Sequence, residues 1–300
     1  MAGGGCIGTS LLTPPAYTSY PSTRARSSYN IGMPERIDSP KNSTVKSLLR
    51  LKERRSRDGR GQYLIEGARE LRRALEATIK VEALYFCPEL LPPEGRGAIA
   101  EAPDLPQTEL SEAAFKRLSL RQNPDGVLAL AKMQAKSLET LELSDRALVL
   151  VIDGLEKPGN VGALLRTADA ADLDAVFITG EGTDLYNPNV IRASMGSVFS
   201  RPVLAVETGE LLEFLQKRNF ALVAATPGGS DTYWAADYTG PTALVLGAEH
   251  TGLGEDWLTA ASVQVAIPMH GLADSLNVSV SGALLIYEAL RQRRTAAEQA

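Results

Sequence analysis

The second half of the chain alternates short apolar runs with longer segments of helical period. Leu148-Val149-Leu150-Val151-Ile152 is unbroken by polar residues, which fits a parallel strand covered on both faces. Val161, Leu164, Leu165 and Ala168 then recur at i, i+3, i+4 and i+7, one apolar stripe of a helix. Buried strands are expected again at 175–179, 221–225, 243–246 and 263–267, and helices at 189–198, 210–218 and 278–294. The alternation predicts an α/β fold: a parallel sheet with helices on both faces.

Nearer the start the same alternation recurs on a smaller scale. A strand is expected at 63–65, a helix at 68–77 and a strand at 81–86; after a Pro-rich loop come a helix at 111–118 and a strand at 127–131. This is the pattern of a small α/β layer domain, and residues 136–144 read as the linker behind it. Residues 1–40 hold five prolines, Gly3, Gly4, Gly5 and many Ser and Thr, with no period, and read as a disordered tail. The dinucleotide-like Gly3-x-Gly5-x-x-Gly8 is set aside, because no strand precedes it and Pro14-Pro15 follows. The lack of acids before Glu35, beside Arg24 and Arg26, faintly resembles a transit peptide; a leader, or a start upstream of Met33, is the preferred reading. The expected domains are therefore a tail at 1–40, a small domain at 41–140 and a larger one at 141–300. Two folded domains also suit a chain of 300 residues.

Charge changes this picture locally. The chain carries 31 Lys and Arg against 36 Asp and Glu, a net −5, so bulk charge cannot attract a polyanion, although a local patch can. Residues 41–60 supply one: Lys41, Lys46, Arg50, Lys52, Arg54, Arg55, Arg57 and Arg60 against Glu53 and Asp58, a local +6. Such asymmetry points to a nucleic acid; a solvated helix face is the plain alternative. Aromatic residues at 6% argue against a stacking platform for many bases. Two cysteines, Cys6 and Cys87, and two histidines, His250 and His270, exclude a disulfide framework or Cys-rich zinc site and leave little for Ser-His chemistry. No metal is expected. With no long apolar run and no secretory signal, the expected compartment is the cytoplasm.

Ligands of parallel α/β sheets bind beyond the carboxyl ends of strands, and three loops there are rich in Gly and small polar residues. They are Asp153-Gly154-Leu155-Glu156-Lys157-Pro158-Gly159-Asn160-Val161-Gly162, running on to Arg166; Gly247-Ala248-Glu249-His250-Thr251-Gly252; and Pro268-Met269-His270-Gly271 through Ser275-Leu276-Asn277-Val278-Ser279. Each alone reads as a turn; together they outline one site.

These loops resemble the motifs of the SpoU (TrmH-type) RNA ribose 2′-O-methyltransferases. Asn160-x-Gly162-x-x-x-Arg166 resembles the first motif, Gly247-x-Glu249-x-x-Gly252 the second, and Ile267-Pro268-Met269 with Ser275-Leu276-Asn277-Val278-Ser279 the third, in the family's order. The basic stretch with Tyr63-Leu64-Ile65-Glu66-Gly67 similarly resembles the family's N-terminal substrate-binding domain, which is like a small ribosomal RNA-binding protein. The resemblance spans about residues 41–295. It implies a deep trefoil knot, S-adenosylmethionine bound at that knot, and a homodimer with shared active sites. It also implies methylation of a ribose 2′-hydroxyl. Ribosomal RNA is favoured by the N-terminal domain; a transfer RNA substrate and a non-catalytic RNA-binding protein are the alternatives.

Carried over residue by residue, the resemblance makes Arg166, Asn160, Glu249, Asn277 and Ser279 the catalytic group. Leu246, Gly247, Gly252, Ile267, Met269, Ser275 and Leu276 become the cofactor wall. Lys46, Arg50, Lys52, Arg54, Arg55, Arg57 and Arg192 become RNA contacts. Arginine stays protonated, so Arg166 is read as a cation for phosphate and developing alkoxide rather than as a base. Its position opposite the apolar stripe also fits a plain surface arginine. Asn160 is either a helix N-cap or an orienter of Arg166 or the ribose. Asn277 is the best cap for the last helix. Gly247 is expected to let backbone approach the cofactor. Asn189, Arg192 and Ser194 match a further polar motif of the family with a plausible substrate role. Val280, Ala283, Leu284, Tyr287 and Leu290 are assigned to core or dimer packing.

Overall fold

The computed structural model describes residues 35–134, 136–182 and 184–299. The tail expected at 1–40 lies outside the described residues up to residue 34. Its last part enters the fold as edge strand β1 (Glu35–Ile37), parallel to a later strand, β4 (Gln107–Leu110).

The smaller sheet also contains β2 (Gln62–Glu66), β3 (Val81–Phe86) and β5 (Val127–Lys132), in the order β1-β4-β3-β5-β2. β5 runs antiparallel to both of its neighbours. Alternation along β2 explains how both faces are covered. Leu64 turns toward α1 (Ser43–Arg50) and α5 (Glu112–Leu118), packing with Val45, Leu48 and Phe115. Tyr63 and Ile65 turn to the opposite face, toward Leu71 of α3 (Ala68–Glu76). Side chains start two of these helices: Asn42 accepts from the Thr44 amide at 2.7 Å, and Ser111 from the Ala114 amide at 3.3 Å. Two segments add helices to the expected elements. Inside the Pro-rich segment, α4 (Pro93–Ala100) begins on a proline, which the first helical turn tolerates because it needs no amide donor there. The basic stretch folds into α1 and α2 (Arg54–Arg60).

The larger sheet is parallel throughout, in the order β10-β12-β9-β11-β6-β7-β8. Its strands are β6 (Leu148–Asp153), β7 (Ala175–Thr179), β8 (Val203–Ala205), β9 (Ala221–Ala225), β10 (Asp231–Thr232), β11 (Thr242–Leu246) and β12 (Val263–Ala266). The central strands are buried on both faces, as their continuous apolar runs require. The helices are α6 (Pro158–Ala170), α7 (Pro188–Ala193), α8 (Thr208–Lys217), α9 (Glu255–Ala260) and α10 (Val278–Gln299). The helix expected at 189–198 stops at Ala193. Met195 and Gly196 take φ of 55° and 84°, a left-handed break, and only a single tight turn follows at Ser197–Phe199.

The stripe expected in core or dimer packing divides: Leu290 packs against the core, while the helix's buried face is formed by other residues. Val278, Gly282, Leu285, Ile286 and Ala289 face the core. A Cβ on Gly282 would lie 2.4 Å from Leu164 and 2.8 Å from Leu246, so glycine brings α10 down onto α6 and β11. Val280 and Tyr287 of the predicted stripe are about half exposed, at 47% and 53%.

Residues of the smaller domain's β2 and α3 meet the segments flanking α7. Tyr63 packs on Tyr186, with ring centroids 4.6 Å apart. Arg73 donates to the Met195 carbonyl at 2.9 Å and to Ser197 Oγ at 3.1 Å.

Candidate active site

The loops beyond β6, β9, β11 and β12, with the start of α10, enclose a cavity of about 330 Å³ at the carboxyl edge of the larger sheet. Strand order sets its long axis. Ala225 ends β9 and Pro227 lies beyond it, and Val265, Ile267 and Met269 lie at the end of β12; Leu246 and Gly247 stand in the middle, and Lys157 and Glu249 lie toward β6. One end is therefore mainly apolar and the other charged. All seven residues expected as the cofactor wall line this cavity: Leu246, Gly247, Gly252, Ile267, Met269, Ser275 and Leu276.

Side chains join the three motifs at the charged end. Lys157 Nζ and Asn160 Nδ2 both donate to the Glu249 carboxylate. Asn160 Oδ1 accepts from Asn277 Nδ2 at 3.2 Å. Asn277 Oδ1 accepts from the Ser279 amide at 2.9 Å and from Ser279 Oγ at 2.6 Å, so Asn277 caps α10 as expected. Asn160 does not cap its helix. Lys157 occupies the cap position before Pro158, and Asn160 sits in the first turn with its amide spanning Glu249 and Asn277. A primary amide suits this place, because it donates at one end and accepts at the other.

Two motif glycines have internal explanations. A Cβ on Gly247 would fall 2.4 Å from the Gly252 backbone, and Ala248 and Gly252 exchange backbone hydrogen bonds of 3.1 and 2.9 Å. Gly247 thus closes its own loop, a reason independent of cofactor approach. A Cβ on Gly162 would fall 2.4 Å from Ala193 Cβ and 2.7 Å from the Ser194 amide nitrogen, so this glycine lets α6 press against α7.

Arg166 stands apart from the cavity. It is exposed on α6 and, among the described residues, its side chain has no hydrogen bond or ion pair. Asn160 bonds to Glu249 and Asn277, so it does not orient Arg166 within this chain.

The expected RNA contacts divide. Lys46, Arg50, Arg54 and Arg55 are exposed on α1 and α2. Lys52 is half-buried, its Nζ 3.2 Å from the Ser119 carbonyl. Burial holds its pKa below the ordinary lysine value; nearby Glu66 opposes this effect and Arg117 adds to it. Arg57 is a correction. Its side chain is 2% exposed, donates to the Leu51 and Lys52 carbonyls at 2.9 and 2.7 Å, and pairs with Asp184 at 2.6 Å, so it ties α2 to the loop after β7 and does not face a ligand. Arg192 is exposed and donates to the Leu120 carbonyl at 3.1 Å. Ser194 is fully buried, its hydroxyl donating to the Ile191 carbonyl at 2.9 Å, so it cannot touch substrate; Asn189 is exposed.

Sequence reasoning missed Lys157, Pro227 and Asp274 in the cavity wall. Lys157 adjoins Pro158 in the first motif loop, and that neighbourhood was the available signal. Pro227 follows a strand with no motif to mark it.

Known proteins match the chain along most of its length. Residues 147–287 match the SpoU rRNA Methylase family, and residues 42–129 match the MRM3-like substrate binding domain. The chain is 33% identical over 255 residues to a 23S rRNA (uridine(2479)-2′-O)-methyltransferase of Streptomyces viridochromogenes, covering 80% of this chain and 86% of that protein. It is 30% identical to the 23S rRNA (guanosine(2553)-2′-O)-methyltransferase RlmP of Bacillus subtilis, covering 84% of this chain and 98% of the relative. A crystal structure of an RNA 2′-O ribose methyltransferase is 50% identical, with a TM-score of 0.78 over 86% of this chain and 99% of the other. An AdoMet-bound rRNA methyltransferase from Sinorhizobium meliloti is 27% identical, with a TM-score of 0.79 over 87% of this chain and 98% of the other. A cavity built from three sequence-distant loops, their side chains joined through Asn160, and matches along most of the chain lead to one conclusion: this protein belongs to the SpoU family of RNA methyltransferases.

Proposed function

We propose that this chain is an S-adenosylmethionine-dependent RNA methyltransferase that modifies a ribose 2′-hydroxyl, most readily in ribosomal RNA. The observation that carries the reading is the cavity itself. It has an apolar end, a charged end, and backbone exposed between them at Gly247 and Gly252. The residues suit the group: Leu246, Ile267, Met269 and Leu276 offer apolar walls to a nucleoside, and the loop backbone offers hydrogen bonds to its edge. When bound, S-adenosylmethionine supplies a methyl carbon activated by a sulfonium. The ribose 2′-oxygen would receive that methyl as the carbon–sulfur bond gives up its electron pair to the thioether, and the hydroxyl proton would pass to water.

The protein's part is to place the 2′-oxygen and stabilise its developing charge. Asn160 and Asn277, locked together with Glu249, form a rigid polar floor. Arg166 has an unengaged planar guanidinium suited to a phosphate and to the developing alkoxide. Since Arg166 does not reach its own cavity wall, the proposal includes a homodimer in which the Arg166 of one subunit serves the cavity of the other. The exposed apolar residues Val280 and Tyr287 on α10, beside Leu276, support such an interface. The proposal also includes the knot. β11 lies between β6 and β9, and α10, the last element, packs back on α6 and β11, as threading of the C-terminal segment requires. The named 23S rRNA relatives favour ribosomal RNA and, with it, the cytoplasm. No helix among the described residues is long and apolar enough to cross a membrane.

The test is Arg166→Ala. Methyl transfer to ribosomal RNA should be lost while S-adenosylmethionine affinity, measured by calorimetry, stays within about twofold of the wild type, because the residue is assigned to the RNA phosphate and alkoxide and not to the cofactor. Arg166→Lys should restore little, since a point charge replaces a fork. Full turnover by the alanine variant refutes the role.

A further inference from the structure

We infer that Lys157 is the group that recognises the carboxylate of the methyl donor's amino-acid end. The inference rests on the cofactor reading above and extends it to a residue outside the motif pattern.

The cavity is asymmetric along the strand order, apolar over β9 and β12 and charged toward β6. S-adenosylmethionine has the matching asymmetry, with a flat nucleoside at one end and a zwitterionic amino acid at the other. Its nucleoside belongs over Ile267 and Met269, which directs the amino-acid end toward Lys157 and Glu249. At that end Lys157 is the one lysine or arginine among the residues lining the cavity. Its ammonium is held at the cavity rim by Glu249. The Lys157 side chain is 63% exposed and the Glu249 side chain 22%, so the lysine can turn while the carboxylate stays fixed by Asn160. A zwitterion meets this pair in kind: its carboxylate takes Lys157, and its ammonium takes Glu249. The backbone amides of the loop can receive the nucleoside but carry no full charge, so the anion has its strongest partner in the lysine.

The experiment compares S-adenosylmethionine with decarboxylated S-adenosylmethionine, which lacks only the carboxylate, by calorimetry on wild type, Lys157→Met and Lys157→Arg. Wild type should favour the carboxylated ligand by roughly tenfold or more, the discrimination expected of a charge-assisted hydrogen bond. Lys157→Met should bind the decarboxylated ligand as wild type does, while the preference falls to about twofold or less. Lys157→Arg should keep much of the preference. Retention of the full preference by Lys157→Met overturns the inference. So does equal weakening of both ligands, which indicates a role in shaping Glu249 alone. Loss of RNA affinity with the ligand preference intact overturns it too and assigns the lysine to substrate phosphate. If neither ligand binds wild type, it is the cofactor reading that fails, a result distinct from all of these.

Discussion

Substituting Gly162 with alanine isolates the contact between α6, which carries Asn160 and Arg166, and α7. The new Cβ would meet Ala193 Cβ at 2.4 Å, the Ser194 nitrogen at 2.7 Å and the Ala193 carbonyl carbon at 2.8 Å. Two of these atoms are backbone, so no side-chain rotation relieves the overlap, and α7 is itself held by the bond from Arg73 to the Met195 carbonyl. Forcing a methyl into such a site costs about 2–3 kcal/mol of packing strain. Alanine returns up to about 1 kcal/mol of helix propensity, leaving a net loss of about 1–2 kcal/mol. Gly159 is the internal control. It lies in the first turn of the same helix, and a Cβ there would meet nothing within 4 Å. Gly159→Ala should therefore be neutral or stabilising by up to about 1 kcal/mol. Fully equilibrated urea denaturation, compared at equal m, measures both. A Gly162→Ala midpoint equal to or above that of Gly159→Ala would refute the packing argument, and with it the reason for glycine at that motif position.

Other consequences follow from individual contacts. Reversing Lys46, Arg50 and Arg55 to Glu should flatten the salt dependence of RNA binding, because each exposed cation contributes counterion release; an unchanged slope would return these helices to the solvated-face reading. Arg57→Ala leaves Asp184 without its cation in a buried place, so it should cost about 3–5 kcal/mol of stability; a loss of RNA affinity with stability unchanged would contradict the assignment. Burial pushes the Cys87 thiol up to about 11, so at pH 8 iodoacetamide should label it only after denaturation; rapid labelling of Cys87 in native protein, read by peptide mapping apart from Cys6, would count against the buried setting.

Legibility in the sequence followed local pattern. The central strands announced themselves, because a run such as Leu148–Ile152 buried on both faces can be little else. The short strands of polar sequence did not. Gln107–Leu110 carries Gln, Thr and Glu and is a strand through its pairing with β1 and β3. The break after Ala193 was equally silent, since it depends on left-handed backbone at Met195 beside Gly196. The three loops around the cavity were legible because their Gly and Asn spacings are distinctive. The Lys157–Glu249 pair was not, since it joins positions 92 residues apart. Arg57 shows the limit most plainly. In the chain it looks like its basic neighbours, and only Asp184, 127 residues away, removes it from the surface.

The central claim concerns the atom that receives the methyl group. Purified protein should be incubated with ribosomal RNA and S-adenosylmethionine labelled in the methyl group, and the RNA then hydrolysed completely in alkali. Alkaline cleavage needs a free 2′-hydroxyl, so ribose methylation leaves the label in alkali-resistant dinucleotides, which is the predicted result. Label recovered in mononucleotides would mean base methylation, and that result, or no transfer to any ribosomal RNA, would contradict the account.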